Sequence, residues 1–204
     1  MPAISTLAEL DALYGTPAPT ATVKEVTALT PQYRALIEAS SFLALATSGR
    51  EGLDCSPRGD RRGSLVRIHD DHTLMLPDRR GNNRADSLRN IVRDPRVGLL
   101  FLIPGNRSAL RINGRARLET DAALRESFAV EGAAPRCVIV ITIDAVFFQC
   151  GRAIERAGLW DAANYAAPGS LPTPGEILST LSGGKLGGQD YDRGWEARAK
   201  KTMW

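Results

Sequence analysis

The residues with the clearest chemical potential in this 204-residue sequence are its arginines. Of 26 basic residues 22 are arginine, and residues 50–117 contain 15 of them against eight acidic residues. The planar guanidinium group binds phosphate oxygens through paired hydrogen bonds, whereas a lysine ammonium acts as a point charge. The clustering therefore predicts an anionic partner, either a small phosphorylated molecule or a nucleic acid.

The most informative segment is LMLPDRRGNNRADSL, residues 74–88. It predicts a strand that ends at Pro77, a polar loop, and a helix that begins near Asn83. Asn83 is expected to cap this helix, with Asp86 reaching back in the manner of a capping box. The buried side of the helix is expected to consist of Leu88, Ile91 and Val92.

The start of this helix is a candidate phosphate site. A helix N-terminus presents unpaired N–H groups and a partial positive charge, which together attract anions. Arg79, Arg80 and Arg84 surround the predicted N-terminus. The alternative is an exposed, solvated loop that is merely rich in arginine.

A second candidate cluster is DCSPRGD, residues 54–60. Pro57 interrupts strand pairing, and Gly59 lets a ligand approach the backbone closely. Ser56 and Arg58 then offer hydrogen-bond donors to a cleft. A strand-ending loop with a surface arginine is the competing interpretation.

The elements that must position these clusters are mostly strands. Helices are expected over residues 5–14, with Ser5 as cap, and from Thr30-Pro31 to about Ala39, with a linker over 15–20 between them. Strands are expected over 42–47, into Ser56-Pro57, and over 64–69, 73–77, 97–103, 109–119 and 137–148. About seven strands with few intervening helices favour an antiparallel barrel.

The strand over 109–119 has the most regular alternation in the sequence. One face is predicted to carry Leu110, Ile112, Gly114, Ala116 and Leu118. The other is predicted to carry Arg111, Asn113, Arg115, Arg117 and Glu119. The basic face has no interleaved aromatic residues, which a surface that binds nucleic acid would use for stacking.

The order of these segments resembles a known family. DCSPRGD, TLMLPDRRGNNRADSLRNI, DPRVGLLFLIPG and LRINGRARL closely resemble a branch of the pyridoxamine 5'-phosphate oxidase-like, split-barrel FMN-binding flavoproteins, distinct from the authentic oxidase. The resemblance covers about residues 42–160. It implies a mainly β fold with peripheral helices, an antiparallel split β-barrel, and a homodimer with FMN at the subunit interface.

The resemblance also implies a set of cofactor-binding residues, but it does not identify a catalytic residue. They are Ser56, Pro57 and Arg58 beside the flavin and its ribityl phosphate, Leu76 and Pro77 at the ring edge, Arg79, Asn82, Asn83 and Arg84 around the phosphate, Arg111 near the ring at the second subunit, and Trp160 as a lid.

The implied function is that of an FMN-dependent oxidoreductase acting on an unidentified small organic substrate. The C-terminal arginine-containing signature of the authentic oxidase has no counterpart in YDRGWEARAKKTMW, so oxidation of pyridoxamine phosphate is not expected. One alternative is a protein that binds or sequesters flavin, or a related tetrapyrrole-like or phosphorylated ligand, without turnover. A lesser alternative is a basic barrel that binds nucleic acid. Under the main hypothesis no nucleic-acid partner is expected.

The expected organisation is an N-terminal helical extension (1–40), a split-barrel FMN-binding domain (41–160) and a tail that packs on the barrel or the dimer partner (161–204). No apolar run is long enough to span a membrane, and the first residues lack a signal-peptide pattern, so a cytoplasmic protein is expected. Cys55, Cys137 and Cys150 are expected to be reduced thiols. His69 and His72 flank a predicted hairpin tip, and no metal site is expected there.

Overall fold

The computed structural model describes residues 3–50 and 52–204 and shows an antiparallel sheet of seven strands. The strands are β1 (Phe42–Gly49), β2 (Gly52–Gly59), β3 (Arg67–Ile68), β4 (Thr73–Pro77), β5 (Arg96–Leu102), β6 (Ala109–Glu119) and β7 (Val138–Gln149). Their order in the sheet is β2-β1-β5-β6-β7-β4-β3, with every neighbouring pair antiparallel. The predicted hairpin around residues 70–71 is present as β3 and β4, although β3 is shorter than expected.

The helices lie around this sheet. They are α1 (Leu7–Tyr14), α2 (Pro19–Thr22), α3 (Pro31–Ala39), α4 (Asp86–Arg93), α5 (Ala122–Glu126), α6 (Arg152–Ala157), α7 (Pro174–Leu181), α8 (Gln189–Arg193) and α9 (Trp195–Thr202). Thr30 caps α3 by accepting a hydrogen bond from the Tyr33 N–H at 3.2 Å, as the sequence predicts. The cap of α1 is Thr6 rather than Ser5, because Thr6 and Glu9 form a reciprocal capping box. The predicted linker is interrupted by α2.

The inner face of the sheet forms the core. In one row across four strands the residues are at most 1 % exposed: Leu45, Leu99, Ile112 and Val146. The alternation predicted for β6 is confirmed, with Leu110, Ile112, Gly114 and Ala116 buried and the three arginines exposed. Burial of this apolar face holds the sheet in one register, because a slip by one residue would turn it outward.

The neighbouring row lies on the opposite face of the same four strands and consists of Ala44, Leu100, Arg111 and Phe147. Leu100 is 39 % exposed, although it sits in an interior strand. We call this row the outer row.

Two ion pairs join strands from opposite sides of the sheet, and we call them the crossed ion pairs. β2 is the first strand of the sheet and β4 the sixth. Arg58 of β2 nevertheless contacts Asp78, just after β4, with Nη1 2.8 Å from Oδ1. Arg79 contacts Asp60, just after β2, with Nε 2.8 Å from Oδ2. The sheet therefore curls until β2 and β4 face each other across a split.

The helix after β4 begins later than predicted. Its N-cap is Ala85, in a left-handed conformation (φ 56°, ψ 29°), and the helix starts at Asp86. Asn83 is also left-handed, at φ 64°, so the chain makes an irregular turn between Asn83 and the helix and Asn83 cannot act as the cap. Val92 is 74 % exposed, contrary to expectation, whereas Asn90 is buried and donates to Thr47 Oγ1 at 3.1 Å.

Candidate functional site

The split in the barrel contains a cavity of about 1120 Å³. Its walls come from the end of β2, the end of β4 and the loop after it, the first turn of α4, the segment 133–137 before β7, and residues 203–204. This volume slightly exceeds the roughly 300–1,000 Å³ typical of small-molecule sites. The cavity therefore has room for a ligand the size of a nucleotide.

Nine of the eleven predicted site residues line this cavity. They are Ser56, Pro57, Arg58, Leu76, Pro77, Arg79, Asn82, Asn83 and Arg84. The two clusters singled out in the sequence thus meet in space, although more than twenty residues of chain separate Ser56 from Arg79.

Arg111 and Trp160 lie outside the cavity. Arg111 is in the outer row, with its guanidinium 5.4 Å from the ring centre of Phe147. Trp160 donates from Nε1 to the carbonyl of Asn106 at 2.8 Å, which ties the segment after α6 to the loop between β5 and β6. Within one subunit neither side chain reaches the cavity.

Two of the predicted phosphate-binding arginines are already engaged by carboxylates. Arg79 is 15 % exposed, pairs with Asp60, whose side chain is 3 % exposed, and donates to the Phe128 carbonyl at 2.7 Å. Arg58 pairs with Asp78, both side chains being less than 20 % exposed. These pairs hold the split together, so the main role of Arg79 is structural. Arg58 keeps one donor available: its Nε is buried and has no hydrogen-bond partner among the described residues.

The arginines that remain available lie at the mouth of the cavity. Arg80 is exposed and forms no ion pair with any residue in the described ranges. Arg136 donates to the Asn83 side-chain oxygen at 3.0 Å, a neutral partner. Arg84 pairs with Asp86, which raises the pKa of Arg84, but its side chain is 76 % exposed and can reorient. Five arginines and four aspartates line the cavity, so its net charge is positive.

An aspartate lies at the helix end of the cavity. Asp54 accepts hydrogen bonds from Ser56 Oγ at 3.0 Å and from the buried Ser87 Oγ at 2.5 Å. Both hydroxyl protons therefore point toward Asp54. The prediction that Ser56 donates into the cleft is not met in this structure, because its proton is already used.

The first turn of α4 is open to the cavity. Residues 85–88 line it, and no side chain in the described part of the chain caps the helix. The side-chain oxygen of Asn82 accepts from the Arg84 N–H at 3.0 Å and so shapes the loop in front of the helix. Free N–H groups at a helix start, next to arginine side chains, are a suitable site for a phosphate-sized anion.

Another part of the wall is apolar. Leu76 and Pro77 pair with Ile139 and Val138 of β7 and are buried. Cys137 lies beside them, and burial, followed by the negative charge of Asp78, raises the pKa of its thiol to about 11. The cavity is thus lined by cationic residues around the start of α4 and by apolar residues at Leu76 and Pro77.

Among the lining residues that were not predicted, Arg136 and Trp204 matter most for a ligand. Arg136 comes from the segment before β7, and Trp204 lies far along the chain from every other wall. A basic residue directly before a long apolar strand was the only signal for Arg136. Trp204 was expected to pack on the barrel or the partner, but nothing in the sequence placed it at this site.

The remaining candidate features carry little chemistry. The three cysteines are free thiols, with Cys55 and Cys150 exposed. His72 Nδ1 lies 3.1 Å from the carbonyl of Thr27. In the described ranges, no three potential metal ligands come together, and none of the helices has the length and apolar character needed to cross a membrane. On the outer face of β6, Arg117 pairs with Glu119 and Arg115 with Asp144.

An antiparallel barrel whose split holds an arginine-lined cavity defines the class of protein, and a family comparison agrees. The chain belongs to the pyridoxamine 5'-phosphate oxidase family, whose sequence model matches residues 29–150, more than half of the chain. The predicted mainly β, antiparallel split-barrel fold with peripheral helices is confirmed. No curated protein sequence matches the chain significantly.

Solved structures of similar fold include three bacterial proteins. HupZ from Group A Streptococcus is 20% identical, with a TM-score of 0.49 over 60% of this chain and 94% of its own. A candidate pyridoxamine 5'-phosphate oxidase from Lactobacillus delbrueckii is also 20% identical, with a TM-score of 0.48 over 60% and 95%. General stress protein 26 from Bacillus anthracis is 16% identical, with a TM-score of 0.43 over 56% and 88%.

Proposed function

We propose that this protein is an FMN-dependent oxidoreductase that acts on a small organic substrate. The observation that carries the proposal is the cavity in the split of the barrel, which has both a cationic and an apolar wall. Among the described residues, Arg80 and Arg136 have no acidic partner and line the cavity together with the open start of α4, and Leu76 and Pro77 form a buried apolar wall. FMN has the matching chemistry: a dianionic phosphate at one end and a flat ring at the other.

The residues present fit this cofactor. Arg80, Arg136 and the N–H groups of α4 would hold the phosphate, and Arg84 would join them by leaving Asp86. Arg58 Nε is a buried donor without a hydrogen-bond acceptor among the described residues, and a ligand oxygen would supply that acceptor. When bound, FMN would supply the redox chemistry, while the protein anchors the phosphate and covers part of the ring.

We further propose that the active unit is a homodimer. The outer row places apolar Leu100, which is 39 % exposed, beside Arg111 on the face of the sheet opposite the core. A second copy on this face would bury Leu100 and bring the partner's Arg111 toward the cavity, as the family resemblance implies. Arg111 and Trp160 would then serve the site of the other subunit.

The proposal is tested by FMN binding to three arginine variants. The unaltered protein is expected to be yellow as purified, or to bind added FMN. R136A and R80A are each expected to weaken FMN binding by roughly 1.5–3 kcal/mol, the range for a hydrogen bond to a charged group, whereas R152A, an exposed arginine of α6 outside the cavity, is expected to bind normally. A colourless protein that does not bind FMN at tens of micromolar would refute the proposal.

The second candidate is a protein that binds flavin without turnover. It is favoured by the acids of the cavity: Asp60, Asp78 and Asp86 are in ion pairs, and Asp54 accepts from two hydroxyls. Asp54, Asp60 and Asp78 are therefore not free to act as a general acid or base, and Asp86 becomes free only when Arg84 leaves it for the ligand. Bound FMN that no nicotinamide or deazaflavin donor reduces would favour this candidate over the oxidoreductase.

A further inference from the structure

We propose that Trp204 forms the aromatic wall of the cavity and stacks on the ring of the bound ligand. The inference deepens the proposed function and rests on it, because it assigns the residue that recognises the ring rather than the phosphate. It also defines the ligand class as an anion attached to a planar aromatic system.

The position of Trp204 is fixed by the barrel. Its indole ring lies over two guanidinium groups, with the ring centre 5.1 Å from that of Arg61 and 5.4 Å from that of Arg79. Arg79 is itself held by Asp60 and by the carbonyl of Phe128. Trp204 therefore packs on Arg79, one of the most constrained side chains of the site, and is itself partly buried.

The rest of the tail does not share this anchorage. Trp195, at the start of α9, is 57 % exposed, and α9 has no buried residue. Met203, next to Trp204, lines the cavity but is 51 % exposed. Within the described part of the tail, Trp204 is thus the aromatic side chain that both lines the cavity and packs on Arg79, one of its lining arginines.

The composition of the wall makes Trp204 the stacking residue. Of the described residues that line the cavity, no other is aromatic: the remainder are arginines, aspartates, asparagines, serines and small or aliphatic side chains, with one cysteine and one methionine. Within the described residues of one subunit, Trp204 is therefore the aromatic side chain on which a flat ring in this cavity can stack. Stacking of a heteroaromatic ring on such a side chain contributes severalfold to more than a hundredfold in affinity.

The size of the cavity argues against the opposite role, in which Trp204 fills the site and excludes the ligand. The volume of about 1120 Å³ is measured with Trp204 in place. Trp204 therefore bounds the cavity rather than occupying it, and a nucleotide-sized ligand fits beside it.

The experiment compares W204A, W204F and W195A with the unaltered chain. FMN affinity is measured by titration, the fluorescence of bound FMN is recorded, and inorganic phosphate is used as a competitor for the anionic end. W204A is expected to weaken FMN binding about tenfold, to brighten the bound flavin, and to leave the phosphate inhibition constant unchanged. W204F is expected to recover most of the affinity, and W195A to behave like the unaltered chain. Circular dichroism shows whether W204A is folded.

The outcomes separate this inference from the proposed function. If the unaltered chain binds FMN and W204A binds it equally well, Trp204 is not the stacking residue, and the proposed function stands. If W204A weakens FMN and phosphate by the same factor, or W204F recovers nothing, the indole acts on the whole site rather than on the ring, and the inference is wrong. If the unaltered chain does not bind FMN, the proposed function fails and this inference fails with it.

Discussion

Asp54 is the residue whose chemistry fits a phosphate site least well. Its carboxylate lines the cavity together with the arginines around the start of α4. Its negative charge contributes to the raised pKa of Arg84. A ligand phosphate at the start of α4 would be repelled by it. Its two hydrogen bonds from Ser56 and Ser87 show what it does instead, since it joins β2 to the first turn of α4.

Neutralising this carboxylate should therefore strengthen the binding of an anion. D54N removes the repulsion while keeping an oxygen that accepts from the serines, and we expect FMN to bind about 1 kcal/mol more tightly, roughly fivefold. D144N, on the exposed face of β7, removes the same charge outside the cavity and serves as the control. Equal affinities for D54N and the unaltered chain in calorimetry would show that the phosphate does not approach Asp54.

The thiol of Cys137 provides a probe that needs no ligand. Because its pKa is raised to about 11, it stays protonated at pH 8, and the protonated thiol is a poor nucleophile. Cys55 and Cys150 are exposed. We expect a thiol reagent at pH 8 to label two cysteines of the folded chain quickly, and the third only after denaturation. Three equally fast reactions, followed by mass spectrometry, would show that the wall beside Pro77 is open to solvent.

At the scale of elements, the crossed ion pairs explain why Arg79 differs from its neighbour Arg80. R79A would leave the Asp60 carboxylate buried with only the N–H of Arg61 as partner, and we expect a loss of about 3 kcal/mol in the free energy of unfolding. R80A changes an exposed side chain and should alter stability by less than about 0.5 kcal/mol. Urea denaturation measures both, and similar midpoints for the two variants would contradict the structural role of Arg79.

The same pairs show where sequence reasoning ends. Most strand bounds, the start of α3 at Pro31 and the alternation of β6 depend on neighbouring residues and were predicted correctly, whereas β3 is shorter than predicted. Arg58 and Asp60 are near neighbours in sequence, as are Asp78 and Arg79, yet each arginine pairs with the acid of the other segment. Such a crossing arises only when the sheet curls. The sequence therefore indicated four arginines around a phosphate, whereas the structure engages two of them, Arg58 and Arg79, in the ion pairs that close the split.

The helix after β4 illustrates a second limit. Asn83 has the right residue type for a cap, but the chain turns through two left-handed residues, Asn83 and Ala85, before the helix begins. A left-handed alanine costs about 1 kcal/mol, and only surrounding contacts make it acceptable. Those contacts include the bond from Arg136 to Asn83, which comes from a distant part of the chain. Local propensity therefore placed the element correctly and its first residues wrongly.

At the scale of the whole molecule, the central prediction is the dimer. We expect the chain, 22.0 kDa by composition, to sediment with twice that mass. L100R places a charge in the outer row and should weaken the dimer at least tenfold, because a buried charge without a partner opposes association. V92R, an exposed apolar position on α4, is the matched control. FMN affinity should fall with the dimer, since Arg111 acts across it. A monomeric unaltered chain would contradict the prediction.

The crossed ion pairs also determine how the site behaves as a unit. The residues that close the barrel are the same residues that line the cavity, so the chain cannot open its seam and keep a formed pocket. Local unfolding of this seam and escape of a ligand become a single cooperative event, and an occupied pocket in turn protects the backbone of β2 and β4 from opening. A ligand bound in the cavity would therefore also stabilise the closed barrel.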